Sequence, residues 1–385
     1  MLQGLNIITF ANDWSADPTS KHHIMKRFAQ HNRILWVEAA GMRTPNLARS
    51  GDFRSVVSKI SSFMRPAHLV LPGLNSYAPL SVPLPTWPTA QALNAVLYRL
   101  SIARQLRRLS MRGDPVLWVY GPHVAPWIKR IPRQLLVYHC VDRWSAFEGY
   151  NSQLMASCEA ELCRAADVVF ASAKDLAARC RAYSGNVHYV PHGVDHAHFA
   201  TALEPGPIPD DLACIPEPRV GFFGLIHEWV DLDLVGRLAD RLPYSFVLLG
   251  ASNQDMSALT ARSNVFHLGR KPYSELPLYA RGFAAAIVPF RISELTHSVN
   301  PIKMREYAAA GLPVVSSRLP EVQRCEYIAV CADTDEQWVE SLRAAVARGE
   351  NIASRQHQSK NVMGEDWSAV CEQLSTIIGN RRGRG

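Results

Sequence analysis

Short apolar runs alternate with stretches of helical periodicity along almost the whole chain. This alternation is typical of parallel sheets whose strands are joined by crossover helices. The pattern predicts helices in the first half, among them 20–30, 90–112, 152–164 and 174–182. It predicts strands at 5–10, 33–38, 68–71, 116–120, 135–139, 167–171 and 187–190, and in the second half at 219–223, 245–249, 265–268, 285–288 and 313–316. The fold class is therefore α/β, with a Rossmann-like domain in each half.

The chain of 385 residues is long for a single domain. A run of turn-forming residues from Glu204 to Asp211 separates the two series of strands and predicts a linker. We therefore expect an N-terminal domain over 1–200, a linker over 201–216 and a C-terminal domain over 217–362. An amphipathic helix over 363–379 and a disordered tail over 380–385 complete the chain.

The composition is that of a globular protein with a substantial core, since 48% of the residues are hydrophobic and 19% are charged. No apolar run of about 18 residues occurs, and the N-terminus lacks the basic and apolar regions of a signal peptide. The eight cysteines include no C-x-x-C pair and no zinc-type spacing with histidine. These features predict a cytoplasmic enzyme whose thiols are core hydrophobes in a reducing compartment.

Charge is divided unevenly between the two halves. Residues 1–200 carry 22 Lys and Arg against 12 Asp and Glu, whereas residues 201–385 carry 19 against 22. The resulting net charges of +10 and −3 predict a polyanionic or membrane-surface partner for the first half. Nucleic acid is not expected, because the sequence contains no nucleic-acid-binding motif and no aromatic–basic stacking pattern.

A helix predicted near residue 300 carries the strongest chemical signal. Asn300 is a good helix N-cap, Pro301 suits the first helical position, and Gly311 can end the helix before a strand. The unpaired N–H groups of such a helix start can bind a phosphate. Lys303 lies in the first turn, where a bound anion would remove its conflict with the helix dipole, and Glu306 lies on the same face. The alternative is an ordinary capped surface helix with a Lys–Glu pair.

This helix and three segments before it resemble the donor site of GT-B glycosyltransferases, in the group that includes family-4 enzymes and teichuronic-acid-type transferases. The matching segments follow one another in the expected order, at 221–231, 265–273, 287–291 and the Lys303–Glu306 helix. Residues 190–195 resemble the turn that leads out of the acceptor domain in this group. The match covers 185–320 well and 1–150 loosely. It implies two Rossmann-like domains facing across a cleft, with the C-terminal helix crossing back to the first.

The resemblance implies a nucleotide-diphosphate sugar as donor, with a UDP-sugar favoured over a GDP-sugar. Retaining family-4 enzymes usually carry two glutamates eight positions apart; Glu306 matches the second, whereas Ser298 occupies the first position. The basic residues usual after the glycine turn are absent, so Lys303 is expected to stabilise the leaving diphosphate, helped by Arg270 or Arg291. The expected donor-binding residues are Gly224, His227, Arg270, Lys271, Asn300, Lys303 and Glu306.

Polar residues follow the fifth strand predicted in the first half. Asp142 is similar in position to an acidic residue that xanthan-type glucuronosyltransferases, which this half loosely resembles, use as base. An inverting transfer needs such a group to accept the proton of the acceptor hydroxyl, and Ser298 in place of a glutamate favours inversion. We therefore expect Asp142 and His139 as catalytic residues, with His192 and Asp13 as rivals. The alternative for Asp142 is the cap of the following helix.

Two D-x-D strings occur, at Asp231–Asp233 and Asp333–Asp335. Transferases of another fold hold a divalent ion with such a pair of carboxylates. Both strings precede helical patterns and neither ends a predicted strand, so we interpret them as acidic helix starts. No metal and no cofactor is expected, the nucleotide-diphosphate sugar being a substrate.

The long helix predicted in the first half carries a row of arginines, Arg104, Arg107, Arg108 and Arg112. Residues 66–98 contain no charged side chain, but their prolines exclude a spanning helix. Together these features could contact an anionic membrane or hold a lipid diphosphate acceptor. The alternative is a loop packed on its own domain beside a solvated helix face. The expected acceptor-binding residues are Asp13, Arg104 and Arg108.

We therefore expect a glycosyltransferase that moves a sugar from a nucleotide-diphosphate donor to a glycan or polyprenyl-linked glycan in cell-surface polysaccharide synthesis. It would act in the cytoplasm, at the periphery of the inner face of the membrane. Two alternatives stay open from the sequence: a nucleotide-sugar epimerase on the same fold, which needs no acceptor, and a protein that binds nucleotide sugars without turnover. The Lys303–Glu306 helix and Asp142 favour transfer.

Overall fold

The computed structural model describes residues 1–38, 66–82 and 87–382. The chain divides into two compact units, one from Met1–Pro191 and Val370–Gly385 and the other from His192–Ala369. The division lies ahead of the predicted linker, and the predicted domain limits stay a prediction. Among the described residues, no helix is both long and apolar enough to cross a membrane.

The sheet of the first unit is formed by β1 (Asn6–Ala11), β2 (Arg33–Glu38), β3 (His68–Leu71), β4 (Leu74–Tyr77), β5 (Val116–Val119), β6 (Leu135–Cys140), β7 (Val168–Ala171) and β8 (Val187–Tyr189). Its strand order is β3-β4-β2-β1-β5-β6-β7-β8, and the pairs are parallel except for β3 with β4. The central strands are continuous apolar runs, as in sheets buried on both faces. In β1, for example, Ile7, Ile8 and Phe10 are fully buried.

The sheet of the second unit is formed by β9 (Arg219–Phe223), β10 (Ser245–Leu249), β11 (Val265–His267), β12 (Ala285–Val288), β13 (Val314–Ser317) and β14 (Ala329–Ala332). It is parallel throughout, in the order β11-β10-β9-β12-β13-β14. Successive residues of these strands enter two separate cores. Phe223, Val247 and Leu249 belong to one core, whereas Phe222, Phe246 and Leu248 belong to the other. The sheet is therefore buried on both faces.

The described α-helices lie between and after these strands. In the first part of the chain they are α1 (Ser20–Phe28), α2 (Pro88–Arg108), α3 (Ala125–Ile128), α4 (Ser152–Ala165) and α5 (Lys174–Arg181). Those that follow are α6 (His196–Ala200), α7 (Asp210–Ala213), α8 (Leu232–Arg241), α9 (Ser257–Thr260), α10 (Leu276–Arg281), α11 (Glu294–His297), α12 (Ile302–Ala309), α13 (Pro320–Gln323), α14 (Asp335–Gly349), α15 (Ile352–Lys360) and α16 (Trp367–Arg382).

Each sheet has one point where the direction of strand addition reverses. In the first unit this switch point lies between β1 and β5, and in the second it lies between β9 and β12. Open α/β sheets bind ligands outside the carboxyl ends of their strands at such points. The loops after β1 and β9 are therefore the places where the fold itself favours a site.

Two strands were not predicted from the sequence. The strand β4 holds only two apolar residues, Leu74 and Tyr77, and it starts directly after a turn at Gly73, whose φ is +82°. The edge strand β14 has an exposed residue, Val330, in a run of only four. Short strands with so few buried positions give no periodic signal.

Two predicted helix limits were wrong. The helix α2 ends at Arg108 rather than 112, because the chain turns through Ser110, which has a φ of +52°. The last helix continues to Arg382, so Asn380 to Arg382 are helical rather than part of a disordered tail.

Residues 383–385 lie outside the described part of the chain, as do residues 83–86 of the predicted proline-rich loop. From Val370 onward this helix groups with the first unit, where the Leu2 N–H donates to Ser375 Oγ at 3.0 Å. The predicted course of this helix between the domains stays a prediction.

The packing of α14 against the start of β12 gives a stability prediction. A Cβ added to Gly349 would lie 1.6 Å from the Ala284 carbonyl oxygen, so backbone would have to move. We expect Gly349→Ala to lower the free energy of unfolding by about 1–3 kcal/mol in urea titrations followed by circular dichroism. The matched control is Gly379→Ala in α16, where nothing lies within 4 Å. This change should be neutral or slightly stabilising; equal losses in the two variants would contradict the packing argument.

Candidate functional site

The loops after β9 and β10 approach each other closely at the carboxyl edge of the second sheet. Gly224 follows β9 with a φ of +153°, and its N–H donates to the Leu249 carbonyl at 2.9 Å. Gly250 follows β10, and a Cβ there would lie 1.8 Å from the Gly224 carbonyl oxygen. A side chain at Gly250 would prevent this approach. The edge next to the switch point is therefore lined by bare main chain, which a ligand can reach.

Lys303 and Glu306 form an ion pair beside this loop. Lys303 Nζ donates to Glu306 Oε2 at 2.7 Å; the Glu306 side chain is 2% exposed and that of Lys303 is 26% exposed. A Cβ on Gly224 would lie 3.7 Å from Lys303 Cε, so the lysine stem passes next to the glycine loop. A buried carboxylate needs a paired cation, because removing one partner of such a pair costs about 3–5 kcal/mol. The pair therefore fixes Lys303 while leaving its ammonium partly accessible.

The aromatic residues under this pair attach α12 to β9. The Phe223 N–H donates to Tyr307 Oη at 2.8 Å, and the Tyr307 hydroxyl donates back to the Phe223 carbonyl at 3.2 Å. The two rings pack edge to face, with centroids 4.4 Å apart. Lys303 Nζ lies 5.2 Å from the centroid of the Phe223 ring, within the range of a cation–π contact. The start of α12 is thus held at a fixed place relative to the loop after β9.

The predicted cap of this helix was wrong. The N-cap residue is Pro301, which makes no side-chain cap, and helix α12 begins at Ile302. Asn300 instead accepts a hydrogen bond from Arg305 Nη1 at 2.7 Å, and Arg305 Nε donates to Glu365 at 2.6 Å. Asn300 takes this role because the guanidinium of Arg305 is buried and needs an acceptor. The uncapped first turn, with Lys303 in it, retains its capacity for an anion.

The other predicted donor-binding side chains have protein partners of their own. His227 Nδ1 lies 3.0 Å from Glu228 Oε2, and the His227 ring stacks on Trp229 with centroids 4.3 Å apart. Lys271 Nζ donates to Asp211 Oδ2 at 2.6 Å, and this hydrogen bond raises the pKa of Lys271 above its usual value. A donor would therefore compete with Asp211 for Lys271. Arg270, next to it, is exposed.

Arg291, which was expected to assist Lys303, is engaged by the first D-x-D string. Its guanidinium donates to Asp233 at 2.8 Å and lies 3.4 Å from Asp231. Asp231 is also the N-cap of α8, since its side chain accepts from the Leu234 N–H at 3.1 Å. In the second string, Asp335 lies in the first turn of α14. Both strings thus lie at helix starts, as predicted.

In the first unit, Asp142 faces a lysine that the sequence analysis did not single out. Asp142 follows β6 and is partly buried; Lys21 lies in the first turn of α1 and is 9% exposed. Lys21 Nζ donates to Asn12 Oδ1 at 3.0 Å and lies 5.8 Å from the Trp144 ring centroid. Burial lowers the pKa of Lys21, and the Asp142 carboxylate opposes that shift. Burial raises the pKa of Asp142, and Lys21 opposes it in turn.

The proposed capping role of Asp142 is wrong. The next α-helix, α4, is capped by Asn151, whose side chain accepts from the Leu154 N–H at 2.9 Å. Among the described residues, no hydrogen bond to the Asp142 carboxylate is found, and only its carbonyl accepts from the Trp144 N–H at 3.1 Å and from the Cys140 thiol. A partly buried carboxylate with an adjacent buried cation and no donor of its own can accept a proton from a bound hydroxyl.

His139 is a core residue rather than an accessible base. Its ring is 1% exposed and packs between Trp118, Tyr120 and Phe170, with centroids 6.0, 5.2 and 5.6 Å away. Burial, aided by the charge of Lys21, lowers the pKa of His139 to about 3. An imidazole enclosed on all sides and so weakly basic does not take a proton from a substrate. Sequence alone could not show this, because the three rings that surround His139 come from distant parts of the chain.

The remaining candidates are dispersed. Asp13 lies in the exposed loop after β1, where its Oδ1 accepts from the N–H and the hydroxyl of Ser15, both at 2.8 Å. His192 belongs to the second unit and packs on Trp367, with centroids 6.0 Å apart. Arg104 and Arg108 are exposed on α2. Of the predicted acceptor residues, only Asp13 lies in the loop after β1 that precedes Lys21.

The missed residue, Lys21, had a signal in the sequence. It is a cation in the first turn of a helix that follows the switch-point strand, the same unfavourable placement that drew attention to Lys303. The first turns of both helices contain no acidic residue. A lysine in that position is explained when an anionic group lies above it. The rule that identified the second site would have identified this one.

No family model matches the chain. One curated relative is the "Putative teichuronic acid biosynthesis glycosyltransferase TuaH" of Bacillus subtilis (strain 168), which is 24% identical over 265 residues. That alignment covers 63% of this chain and 66% of the relative, so the chain spans just under two thirds of its length.

Solved structures resemble the chain over nearly its full length. Sucrose-phosphate synthase from Thermosynechococcus elongatus has a TM-score of 0.71 and 13% identity, covering 99% of this chain and 100% of that one. HepE from Anabaena, in complex with UDP and glucose, has a TM-score of 0.65 and 12% identity over 98% and 100%. The α,α-trehalose 6-phosphate synthase from Burkholderia multivorans has a TM-score of 0.65 and 12% identity over 99% and 97%. The predicted GT-B fold with two Rossmann-like domains is confirmed, as is the resemblance to glycosyltransferases.

The enclosed histidines of the first unit give a pH prediction. The pKa values of His139 and His22 are lowered to about 3 and about 4, mainly by burial and then by Lys21. Below about pH 6.5, the ordinary histidine pKa, these histidines bind a proton in the unfolded chain but not in the folded chain. The free energy of unfolding therefore falls as pH falls. Each such histidine contributes up to about 1.4 kcal/mol per pH unit between pH 6.5 and its folded pKa. Urea titrations at pH 6.5, 5.5 and 4.5 should therefore show a steep decline.

His139→Phe keeps the ring contacts but cannot bind a proton. It should reduce the fall in the free energy of unfolding by the contribution of one histidine, up to about 1.4 kcal/mol per pH unit. The matched control is His31→Phe, because His31 is exposed and its replacement changes no buried ring. If the His139→Phe and wild-type proteins lost stability in parallel as pH falls, His139 would not be held neutral by burial.

Proposed function

We propose that this chain is a glycosyltransferase whose second unit binds a nucleotide-diphosphate sugar, with a UDP-sugar favoured. The observation that carries the proposal is the first turn of α12, where Lys303 is fixed by Glu306 next to the bare loop at Gly224. Helix N–H groups, the positive end of the helix dipole and an ammonium converge there, a combination that suits a diphosphate. HepE, a protein of the same fold, contains UDP and glucose.

The chemistry needs positive charge at the leaving group. When the bond between the anomeric carbon and the diphosphate oxygen breaks, negative charge grows on the diphosphate, and preorganised donors stabilise it. Lys303 supplies the cation, and the Gly224 loop lets the diphosphate approach the main chain. Glu306 keeps Lys303 in place and has a carboxylate suited to ribose hydroxyls. Asn300, His227, Arg270 and Lys271 are proposed to shape the site around the nucleotide.

The first unit is proposed to bind the acceptor and to supply the base. The acceptor hydroxyl oxygen attacks the anomeric carbon, the bond to the diphosphate breaks on the opposite face, and the hydroxyl proton passes to Asp142. Lys21 helps to keep Asp142 ionised, and therefore able to accept, despite its burial. Ser298 stands where retaining relatives carry glutamate, which supports inversion. Asp13, in the exposed loop after β1, is proposed to take part in orienting the acceptor.

The proposed acceptor is a polyprenyl-linked glycan of cell-surface polysaccharide synthesis. The name of the relative refers to teichuronic acid biosynthesis, and the first half of the chain carries the excess of positive charge that a lipid diphosphate would match. Arg104 and Arg108 are proposed to contribute to that match. The protein would act in the cytoplasm, at the periphery of the inner membrane face. The similar proteins named above are a transferase and synthases, which supports transfer over epimerisation or binding without turnover.

The donor site is tested by thermal shift with a panel of nucleotide sugars. A ligand that binds only the folded state raises the melting temperature, by a free energy of about 2.7 kcal/mol at 100 times its dissociation constant. We expect a UDP-sugar to raise the melting temperature and Lys303→Ala to abolish most of that rise.

Because Lys303→Ala leaves Glu306 buried without a partner, the variant will also be less stable. The double variant Lys303→Ala/Glu306→Gln should recover stability without recovering the response to the donor. Lys360→Ala, at an exposed position at the end of α15, is the charge-matched control and should respond like wild type. A full UDP-sugar response in the double variant would exclude Lys303 as the diphosphate ligand.

The catalytic base is tested by Asp142→Asn. Transfer from the donor to an acceptor glycan should fall by about 10²–10⁴-fold, because the amide cannot accept the hydroxyl proton. The donor-dependent thermal shift should stay, since the donor site lies in the other unit. Asp114→Asn, at an exposed position before β5, is the control. Transfer at the wild-type rate by Asp142→Asn would assign the base to another residue.

A further inference from the structure

One side of helix α2 is packed and the other exposes large apolar residues. The packed side consists of Ala90, Asn94, Tyr98, Ile102 and Gln105, which are at most 7% exposed. On the opposite side, Leu93, Val96 and Leu100 are 49%, 49% and 62% exposed. Their spacing of three and four residues places them in one row along the helix.

The same row continues into positive charge. Arg104 and Arg107 follow Leu100 at intervals of four and three residues, and both are exposed. At the other end, Trp87 directly precedes the helix and is 59% exposed. Single exposed apolar residues are normal on a protein surface, but contiguous ones mark contact sites. We refer to Trp87, Leu93, Val96, Leu100, Arg104 and Arg107 as the α2 face.

A cavity lies beside the α2 face, between α2 and α3. Its volume is about 390 Å³, and Ala95, Val96, Leu100 and Pro126 give it an apolar lining. Three cations also line it, Arg99 from α2 and Lys129 and Arg130 from the end of α3. Lys129 Nζ contacts Glu161 at 2.7 Å, with the two side chains 61% and 37% exposed. An ion pair so open to water is weak and does not cancel the positive potential of the cavity.

The segment of the sequence that contains α2 has no carboxylate to oppose its arginines. Between Asp52 and Asp114 the chain contains no Asp or Glu at all. The combination is therefore an apolar row and an apolar cavity, each bordered by arginine or lysine. Apolar side chains flanked by cations are suited to an anionic lipid surface, where the former enter the acyl boundary and the latter contact phosphates.

We propose that the α2 face and the adjoining cavity form the surface by which this protein binds a bilayer containing anionic phospholipids. Trp87, Leu93, Val96 and Leu100 enter the headgroup boundary with the helix parallel to the membrane. Arg99, Lys129 and Arg130 hold a lipid phosphate at the cavity, and Arg104 and Arg107 contact neighbouring headgroups. This surface rests on the proposed function in one respect: a lipid-linked acceptor would give the protein a reason to bind a membrane.

The test is co-sedimentation of the full chain with vesicles of phosphatidylcholine alone or with about 30% phosphatidylglycerol. We expect binding to the anionic vesicles only, weakened by salt as screening shortens the reach of the cations. Two variants address the two components. Leu93→Ser/Val96→Ser/Leu100→Ser removes the exposed apolar row, and Arg99→Gln/Lys129→Gln/Arg130→Gln removes the cations of the cavity. Each should weaken binding at least 10-fold.

The control for the apolar variant is Ile292→Ser/Ile352→Ser, which changes two exposed apolar residues, 64% and 56% exposed, in the second unit. It should bind vesicles like wild type. Three outcomes would overturn the proposal: equal binding to neutral and anionic vesicles, no binding to either, or wild-type binding by both the apolar-row variant and the cavity-cation variant. A further outcome is that RNA of equal total charge displaces the protein from anionic vesicles while the apolar variant binds those vesicles like wild type. That result would overturn the proposal in favour of a nucleic-acid surface.

Failure of this proposal is separable from failure of the proposed function. Transfer from a UDP-sugar to a water-soluble acceptor glycan does not require vesicles. The apolar variant should keep that transfer and lose vesicle binding, which supports the surface. A chain that binds anionic vesicles through the α2 face but transfers no sugar to any acceptor would sink the proposed function and leave the surface in place.

Discussion

Burying an ionised carboxylate is costly unless a cation or hydrogen-bond donors compensate it, and Lys303 pairs with the buried Glu306 at the start of α12. Because Glu306 is almost fully buried, moving Lys303 away would leave its carboxylate unpaired, and the pair therefore favours this position of the lysine. It thus stays in the first turn, where its charge and the helix dipole add. The glutamate offsets the cost of placing the lysine charge next to the positive end of the helix dipole, so this arrangement is stable without a bound anion.

The first unit also places a lysine in a first helical turn near a carboxylate, but there the two groups do not form a direct ion pair. Lys21 also lies in a first turn after a switch-point strand, but the carboxylate near it, Asp142, comes from the loop after another strand and forms no direct ion pair within 4 Å among the described contacts. A carboxylate in a direct ion pair stabilises its cation. A carboxylate that lies near a cation without a direct ion pair keeps its oxygens available to accept a proton. The first arrangement suits anion binding and the second suits proton acceptance.

The sequence predicted most of the strands, because buried parallel strands are continuous apolar runs. It also drew attention to Lys303, which breaks a rule of helix electrostatics, and the role of Lys303 stays a prediction. The sequence failed where a residue's role depends on a distant partner. Asn300 looks like a cap until the buried Arg305 claims its oxygen, and His139 looks catalytic until three aromatic rings enclose it. The strands β4 and β14 were missed since four-residue strands hold too few buried positions. Lys21 carries the same signal as Lys303, a cation in a first helical turn that contains no acidic residue.

The net charge of the first half is not explained by its candidate site. Lys21 is buried, and its charge is opposed there by Asp142, so the site adds little to the surplus of +10. Residues 53–113 contain eight Lys or Arg and no Asp or Glu, which accounts for most of that surplus. Within the described part of this segment, Arg99, Arg104, Arg107 and Arg108 are exposed on α2, which also exposes leucine and valine, and Arg112 follows the helix. Proteins in water normally bury such a contiguous apolar row. A row that is exposed and bordered by cations is consistent with a surface that contacts anionic lipid.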